Sequence, residues 1–226
     1  MRIIPLLFLA GLIFAACGRS QKDPDDHVHQ DQTEEGAHGF EVLSSDYYQS
    51  PSRVIWQKPD LVLSLLGNLR GKTVADIGAG TGFFAFRIAN QGAKVIAIDI
   101  DPRAIAWMNS EKQRYPADIQ ALLETRLGQP DDPGLSTQEA DLILMVNTYI
   151  YLTDRVRYFR NLRKGLKPTA EMVIIDFKDQ DTPIGPALEE RIGMQQVQME
   201  LTEAGYSITT VDSTSLEYQY ILKAAY

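Results

Sequence analysis

From about residue 50 onward, apolar positions along the chain switch repeatedly between two rhythms. Short, nearly continuous apolar runs read as buried strands, and runs with apolar residues three and four apart read as helices. Lys72 to Ile77 is a β-branched run ending at glycines. Lys94 to Ile100 and Asp141 to Asn147 are longer apolar runs, and Met172 to Phe177 is another. Each predicts a buried strand, and Leu123 to Leu127 predicts a weaker one. Phe83 to Asn90 predicts a helix. Pro102 opens a second helix at a favoured first-turn position, and that helix must stop before Pro116. Thr153 is placed to cap a third, with Val156, Phe159, Leu162 and Leu166 on one apolar face. Arg163, Lys164 and Lys167 supply the cations expected near its C-terminus, and Pro168 ends it. Pro186 to Ala204 predicts a further helix closed by Gly205. Ser207 to Val211 and Leu216 to Lys223 are close enough to pair as a hairpin.

Strands and helices that alternate in this way, with strands apolar throughout, imply an α/β fold with a parallel sheet covered on both faces. The closing hairpin implies one antiparallel strand. Residues 42–70 precede the first strand and predict a cap helix that Pro59 starts.

The first 45 residues follow other rules. Ile3 to Ala16 is almost wholly apolar, follows Arg2, and is short for a bilayer span. It ends Phe14-Ala15-Ala16-Cys17-Gly18, which resembles a bacterial lipoprotein signal. That resemblance implies lipidation at Cys17 and a chain anchored in the cell envelope, facing the periplasm or exterior. The expected organisation is a signal peptide over 1–17, an acidic tether over 18–45 and one folded domain over 46–226. The tether is polar, carries a formal charge of −5 between Gly18 and Glu41, and cannot bury enough apolar surface to fold alone. His27, His29 and His38 all lie in it and read as solvated residues.

Charge and residue inventory narrow the chemistry. The net charge is −8, and residues 42–226 hold −4 of it. A mildly acidic domain has no electrostatic footprint for nucleic acid. Cys17 is the only cysteine, and the domain has no histidine. Ser-His-Asp and Cys-His catalysis are therefore excluded from it, and no metal site is expected there.

The informative segment is Val74-Ala75-Asp76-Ile77-Gly78-Ala79-Gly80-Thr81-Gly82. It joins the first strand to the first helix, at the strand end where open α/β sheets bind ligands. A dinucleotide loop would read G-x-G-x-x-G. Here the spacing is Gly78-x-Gly80-x-Gly82, and Phe83 stands where the third glycine of that pattern belongs. Asp99 closes the second strand about twenty residues further on, where an acid can accept hydrogen bonds from ribose hydroxyls.

With Phe83-Phe84, with Ala97-Ile98-Asp99-Ile100-Asp101-Pro102, and with Leu166-Lys167-Pro168 before a strand, this segment resembles the class I S-adenosylmethionine-dependent methyltransferases. The resemblance covers roughly residues 50–226. It implies a Rossmann-like, doubly wound, mostly parallel seven-stranded sheet with a reversed C-terminal strand. It implies S-adenosyl-L-methionine as cofactor, with the loop of Gly78, Ala79, Gly80 and Gly82 under the methionine part and Asp76 near its amino group. It puts Asp99 on the ribose and Ile100 against the adenine. Asp131 or Asp132 would approach the adenine amino group, although Pro130-Asp131-Asp132-Pro133 also reads as a polar turn. Asn147, closing the fourth strand, is counted with the cofactor residues. The methyl acceptor belongs near Asn147 to Tyr151, where Tyr149 and Tyr151 are candidates to shape its pocket or orient a hydroxyl; both also read as packing. The acceptor itself is not identifiable from the sequence. Two other readings stand beside this one: a lipid-anchored binding module without turnover, and a nicotinamide-dependent oxidoreductase, which Phe83 disfavours. A cell-envelope address is in tension with a cofactor made in the cytoplasm.

Overall fold

A computed structural model describes residues 51–226. The signal-peptide reading over 1–17, Cys17, the tether over 18–45, its histidines and residues 46–50 lie outside the described residues. Two short helices, α1 (Arg53–Gln57) and α2 (Pro59–Leu65), come first. Pro59 starts α2 as expected, and Lys58, with φ 45°, forms the joint between the two.

The strands are β1 (Thr73–Ile77), β2 (Lys94–Asp99), β3 (Leu123–Leu127), β4 (Ala140–Val146), β5 (Leu166–Phe177), β6 (Ser207–Asp212) and β7 (Gln219–Ala225). The α-helices that follow are α3 (Ala85–Asn90), α4 (Pro102–Lys112), α5 (Ala117–Leu122), α6 (Arg155–Leu162) and α7 (Met194–Glu203). They build one seven-stranded sheet in the order β3-β2-β1-β4-β5-β7-β6. Only β7 runs antiparallel, to β5 on one side and β6 on the other. This is the expected Rossmann-like, doubly wound sheet with its reversed C-terminal strand.

Successive strand residues point to opposite faces, so both faces of an apolar strand need cover. Val74, Val95, Leu142 and Val173 join α2 and α3 residues such as Leu63 and Ile88 in one core. Ala75, Ile96, Ile143 and Met172 pack with Phe159, Leu162, Val197 and Leu201 of α6 and α7 in the other. The chain runs outward from β1 to β3, then returns to place β4 on the other side of β1. That reversal opens the crevice where such sheets bind ligands, beyond the carboxyl ends of β1 and β4.

Four expectations need correction. Phe83 and Phe84 stay in the turn and α3 begins at Ala85. Asp154, not Thr153, caps α6, its carboxylate accepting from the backbone N–H of Arg157 at 3.3 Å. Pro168 lies inside β5 rather than before it. It is tolerated because the β4–β5 register shifts between Leu166 and Glu171, leaving residues 167–170 without ladder partners on β4 or β7. The helix predicted over Pro186–Ala204 shrinks to Met194–Glu203. Residues 178–193 form a loop instead, held by Arg191, whose guanidinium donates to the carbonyls of Lys178, Gln180, Ile184 and Pro186.

Candidate functional site

The glycine loop is tied down at the ends of β1 and β2. The backbone N–H groups of Gly78 and Ala79 both donate to the Ile98 carbonyl, at 2.9 and 3.0 Å. Gly80 N–H donates to Asp99 Oδ2 at 2.8 Å, and Asp101 N–H donates to Asp99 Oδ1 at 3.0 Å. Burial pushes the Asp99 carboxyl up against those hydrogen bonds. Asp101 in turn caps α4, accepting from Arg103 N–H at 2.8 Å. Gly78 has φ 73°, and a Cβ there would lie 2.2 Å from Thr148 Oγ1. Gly82 has φ 80°, and a Cβ there would lie 2.6 Å from the Phe86 ring. Both positions need glycine for conformation and for close approach at once.

Asp76 stands at the start of this loop and is 3% exposed. Its Oδ2 is buried with no hydrogen-bond partner. Burial pushes its carboxyl up to about 7, the charge of Arg53 opposes the rise, and the Asp99 carboxylate adds to it. An ionised oxygen in that position would be costly unless a donor arrives.

The other expected residues divide. Ile100, just past Asp99, is 58% exposed at the rim of the crevice. Gly128 N–H donates to the Asp99 carbonyl, so the turn that follows sits beside Asp99. Within that turn Asp131 and Asp132 are exposed, and Asp132 Oδ1 accepts from Gly134 N–H at 2.8 Å, which is the polar-turn role. Tyr151 is 45% exposed.

Two residues have their polar groups committed elsewhere. Tyr149 is fully buried, its hydroxyl donates to Glu200 on α7, and its ring stacks on Phe159. Burial and the Glu200 carboxylate push the Tyr149 hydroxyl well above its ordinary pKa. The Tyr149 side chain is thus engaged in packing and in its bond to Glu200, the packing role that the sequence also allows. Arg155 completes that cluster, donating to Glu200 at 2.7 and 2.9 Å.

Asn147, at φ 57° and 7% exposed, joins a closed ring of three buried amides. Gln57 Nε2 donates to Gln219 Oε1 at 2.7 Å, Gln219 Nε2 donates to Asn147 Oδ1, and Asn147 Nδ2 donates to Gln57 Oε1 at 3.3 Å. The Asn147 side chain, counted with the cofactor residues, is engaged in this ring. The ring fastens α1 across the carboxyl end of β4 and the start of β7.

Asp176 went unnoticed in the sequence. It is 1% exposed near the carboxyl end of β5 and accepts from the N–H groups of Tyr149 at 3.1 Å and Phe177 at 2.8 Å. Burial pushes it up to about 7. The signal was present, because Ile174-Ile175-Asp176 repeats the apolar-then-Asp ending of the first two strands. Arg53, Gln57 and Gln219 had no such signal.

Residues 75–172 match a family model described as a methyltransferase domain. The chain is 32% identical over 84 residues to the magnesium-protoporphyrin O-methyltransferase of Rhodobacter capsulatus, covering 37% of this chain and 35% of that one. It is 30% identical over 113 residues to the demethylmenaquinone methyltransferase of Tropheryma whipplei, covering 50% and 45%. The match therefore spans less than half the length of these curated relatives. A crystal structure of a SAM-dependent methyltransferase from Aquifex aeolicus superposes with a TM-score of 0.73 at 24% identity, over 84% of this chain and 97% of that one. Residues 75–172 are thus similar to a methyltransferase domain, and the chain shares the fold of the Aquifex aeolicus structure.

Proposed function

We propose that this chain transfers a methyl group from S-adenosyl-L-methionine to an acceptor bound beyond β4. The observation that carries the reading is the unpartnered, buried Oδ2 of Asp76 at the head of the glycine loop. A cofactor whose methionine end bears an ammonium supplies the missing donor. Gly78, Ala79, Gly80 and Gly82 let that end approach the main chain. Asp99 gives carboxylate oxygens for the ribose hydroxyls, with Ile100 and the Asp131–Asp132 turn at the base end. Asp99 now holds two loop amides, so ribose would share or displace the Gly80 contact.

The bound cofactor brings a methyl already activated on sulfur. What the protein adds is position: it holds the methyl in line with the acceptor and keeps water out. A base is needed only where the acceptor carries a proton to lose. Tyr151 is the exposed tyrosine in the expected acceptor stretch and remains a candidate to orient a hydroxyl.

The N-terminal reading belongs to the same proposal. Lipidation at Cys17 would hold the domain at the cell envelope, and the cofactor would then have to reach it there. Mass spectrometry of the cell-derived N-terminus tests this, since an unmodified Met1 rules the anchor out.

Thermal stabilisation of the protein tests the reaction class. S-adenosylmethionine and S-adenosylhomocysteine should raise the melting temperature, NAD should not, and Asp99→Ala should abolish the rise. A rise with NAD alone would favour the oxidoreductase. Stabilisation without turnover on any acceptor would favour the binding module.

A further inference from the structure

The chain that leaves β4 is held in two separate halves. In the first half, Asn147 N–H donates to the Ile175 carbonyl at 2.9 Å and Thr148 Oγ1 donates to the Val146 carbonyl at 3.0 Å. These bonds set Thr148 against Gly78. The second half is the tight turn Tyr149–Tyr151. Tyr151 N–H closes it onto the Thr148 carbonyl at 3.1 Å, and Leu152 N–H onto the Tyr149 carbonyl at 3.2 Å. A turn of this kind begins with backbone N–H groups that find no partner inside it. The residue before it, Thr148, would ordinarily cap them, but its hydroxyl is spent on Val146 and makes no cap.

The acceptor comes instead from β5, 27 residues along the chain, where Asp176 Oδ2 accepts from Tyr149 N–H at 3.1 Å. Asp176 Oδ1 accepts from Phe177 N–H at 2.8 Å. Alternation along β5 puts Asp176 on the same face as Ile174, the face on which Tyr149 and Tyr220 pack. Tyr220, opposite Asp176 on β7, donates its hydroxyl to the Ile192 carbonyl at 3.1 Å. A carboxyl only 1% exposed is costly as an anion unless donors meet its oxygens. Burial pushes it up, and the N–H groups of Phe177, Tyr149 and Ile150, with the charge of Arg191, pull against that rise.

Resting on the methyltransferase reading, we propose that Asp176 is a positioning residue for the methyl acceptor: from β5 it caps the Tyr149–Tyr151 turn and fixes the acceptor side of the crevice independently of the cofactor side. The half that faces the glycine loop, Asn147 and Thr148, carries its own backbone bonds. The half where the acceptor is expected has its first amide on Asp176 and its first side chain on Phe159 and Glu200. Buried as it is, Asp176 acts through the turn.

The test is residue-resolved amide exchange on the full chain at pH 8, paired with calorimetric titration of S-adenosylhomocysteine. Asp176→Ala should speed exchange at Tyr149 and Ile150 by about tenfold or more relative to Leu144 and Met145 of β4, the size of a hydrogen bond to a charged group. Affinity for S-adenosylhomocysteine should stay within about threefold, under 1 kcal/mol. Where Asp176→Ala does not fold, the wild type supplies a spectroscopic signature. The amide-proton resonances of Tyr149 and Phe177 should move together between pH 5 and 9 about one midpoint near 7, and Asp176→Asn should abolish both movements. The groups around Asp176 leave that window clear. Burial holds the Tyr149 and Tyr220 hydroxyls far above it, Glu200 is held down to about 2 by Arg155 and Tyr149 against burial, and Arg191 and Asp179 are the other charges on this side. Exchange that rises equally in the turn and in β4, the mark of a merely structural role, would overturn the assignment. So would a larger loss of S-adenosylhomocysteine affinity, which would mean that the two halves move as one, or amide resonances that do not move with pH. A wild type that binds no S-adenosylhomocysteine overturns the methyltransferase reading, and the acceptor role of Asp176 with it, whatever the exchange shows.

Discussion

Gly78 and Thr148 are packed so closely that no side chain fits between them: a Cβ at position 78 would lie 2.2 Å from Thr148 Oγ1. The contact joins the loop after β1 to the turn after β4, across the crevice where the strand order reverses. Gly78→Ala would also place a Cβ at φ 73°, a conformation that costs an alanine about 1–2 kcal/mol. Relief requires moving either the loop or the turn, and both border the proposed cofactor site. The expected result is a lower melting temperature together with loss of S-adenosylhomocysteine binding. A variant that melts and binds like the wild type would show that this packing is not needed.

Tyr149→Phe separates packing from catalysis. The substitution keeps the ring on Phe159 and removes only the hydroxyl that donates to Glu200. Glu200 keeps both of its bonds from Arg155, which with Tyr149 outweigh burial and hold it down to about 2. Stability should fall by about 1.5–3 kcal/mol, the range for a hydrogen bond to a charged group. Turnover on the true acceptor should stay within about threefold, since under 1 kcal/mol of transition-state energy is at stake. A hundredfold loss of kcat in a folded variant would place Tyr149 in the catalytic machinery.

The order of legible and hidden features follows from what each rests on. The strands were readable because burial on both faces demands continuous apolar residues, as in Lys94 to Ile100. The glycine loop was readable because its backbone needs positive φ and its spacing is local. Pro168 misled because a proline normally ends an element, while here a register shift frees the residues around it. The span Pro186–Ala204 misled because its helix-forming composition hides a loop that one residue, Arg191, assembles. The ring around Asn147 was hidden for a longer-range reason: its partners are 90 and 72 residues away, so no window on the sequence could pair them.

The amide ring makes a prediction of its own. Gln57→Leu leaves the donor of Asn147 and the acceptor of Gln219 buried without partners. At about 1–3 kcal/mol for each stranded group, stability should fall by about 2–6 kcal/mol. For a domain of this size, at about 2–4 °C per kcal/mol, the melting temperature should drop by about 4–24 °C. Gln219→Leu should cost a similar amount. The double variant should cost clearly less than the sum, because each change removes a group that the other had stranded. Strict additivity in a double-mutant cycle would mean the three amides do not act as a ring.

Two buried carboxyls, Asp76 and Asp176, set the response to pH. Burial pushes each from an ordinary value of 3.8 up to about 7. A group that binds its proton more tightly when folded stabilises the fold as pH falls. The gain runs between the ordinary value and the raised one, from about pH 7 down to about pH 4, at up to about 1.4 kcal/mol per pH unit for each group. Below that window the sign reverses. Glu139, held down to about 2 by Arg126, and Glu200, held down by Arg155 and Tyr149 against burial, then become protonated and their ion pairs are lost. The ligand-free protein should therefore be more stable at pH 5 than at pH 8 and lose stability again below pH 4. Cofactor binding should run the other way, because Asp76 holds an ammonium only when ionised. S-adenosylhomocysteine affinity should fall as pH drops through 7, by up to about tenfold per unit. Asp76→Asn should bind more weakly at pH 8 and lose that pH dependence, while the Asp176 share of the stability slope persists. Melting curves and titrations at pH 5, 6, 7 and 8 on both proteins measure the two slopes separately. An affinity that is flat from pH 6 to 8 in the wild type would remove Asp76 from the ammonium site.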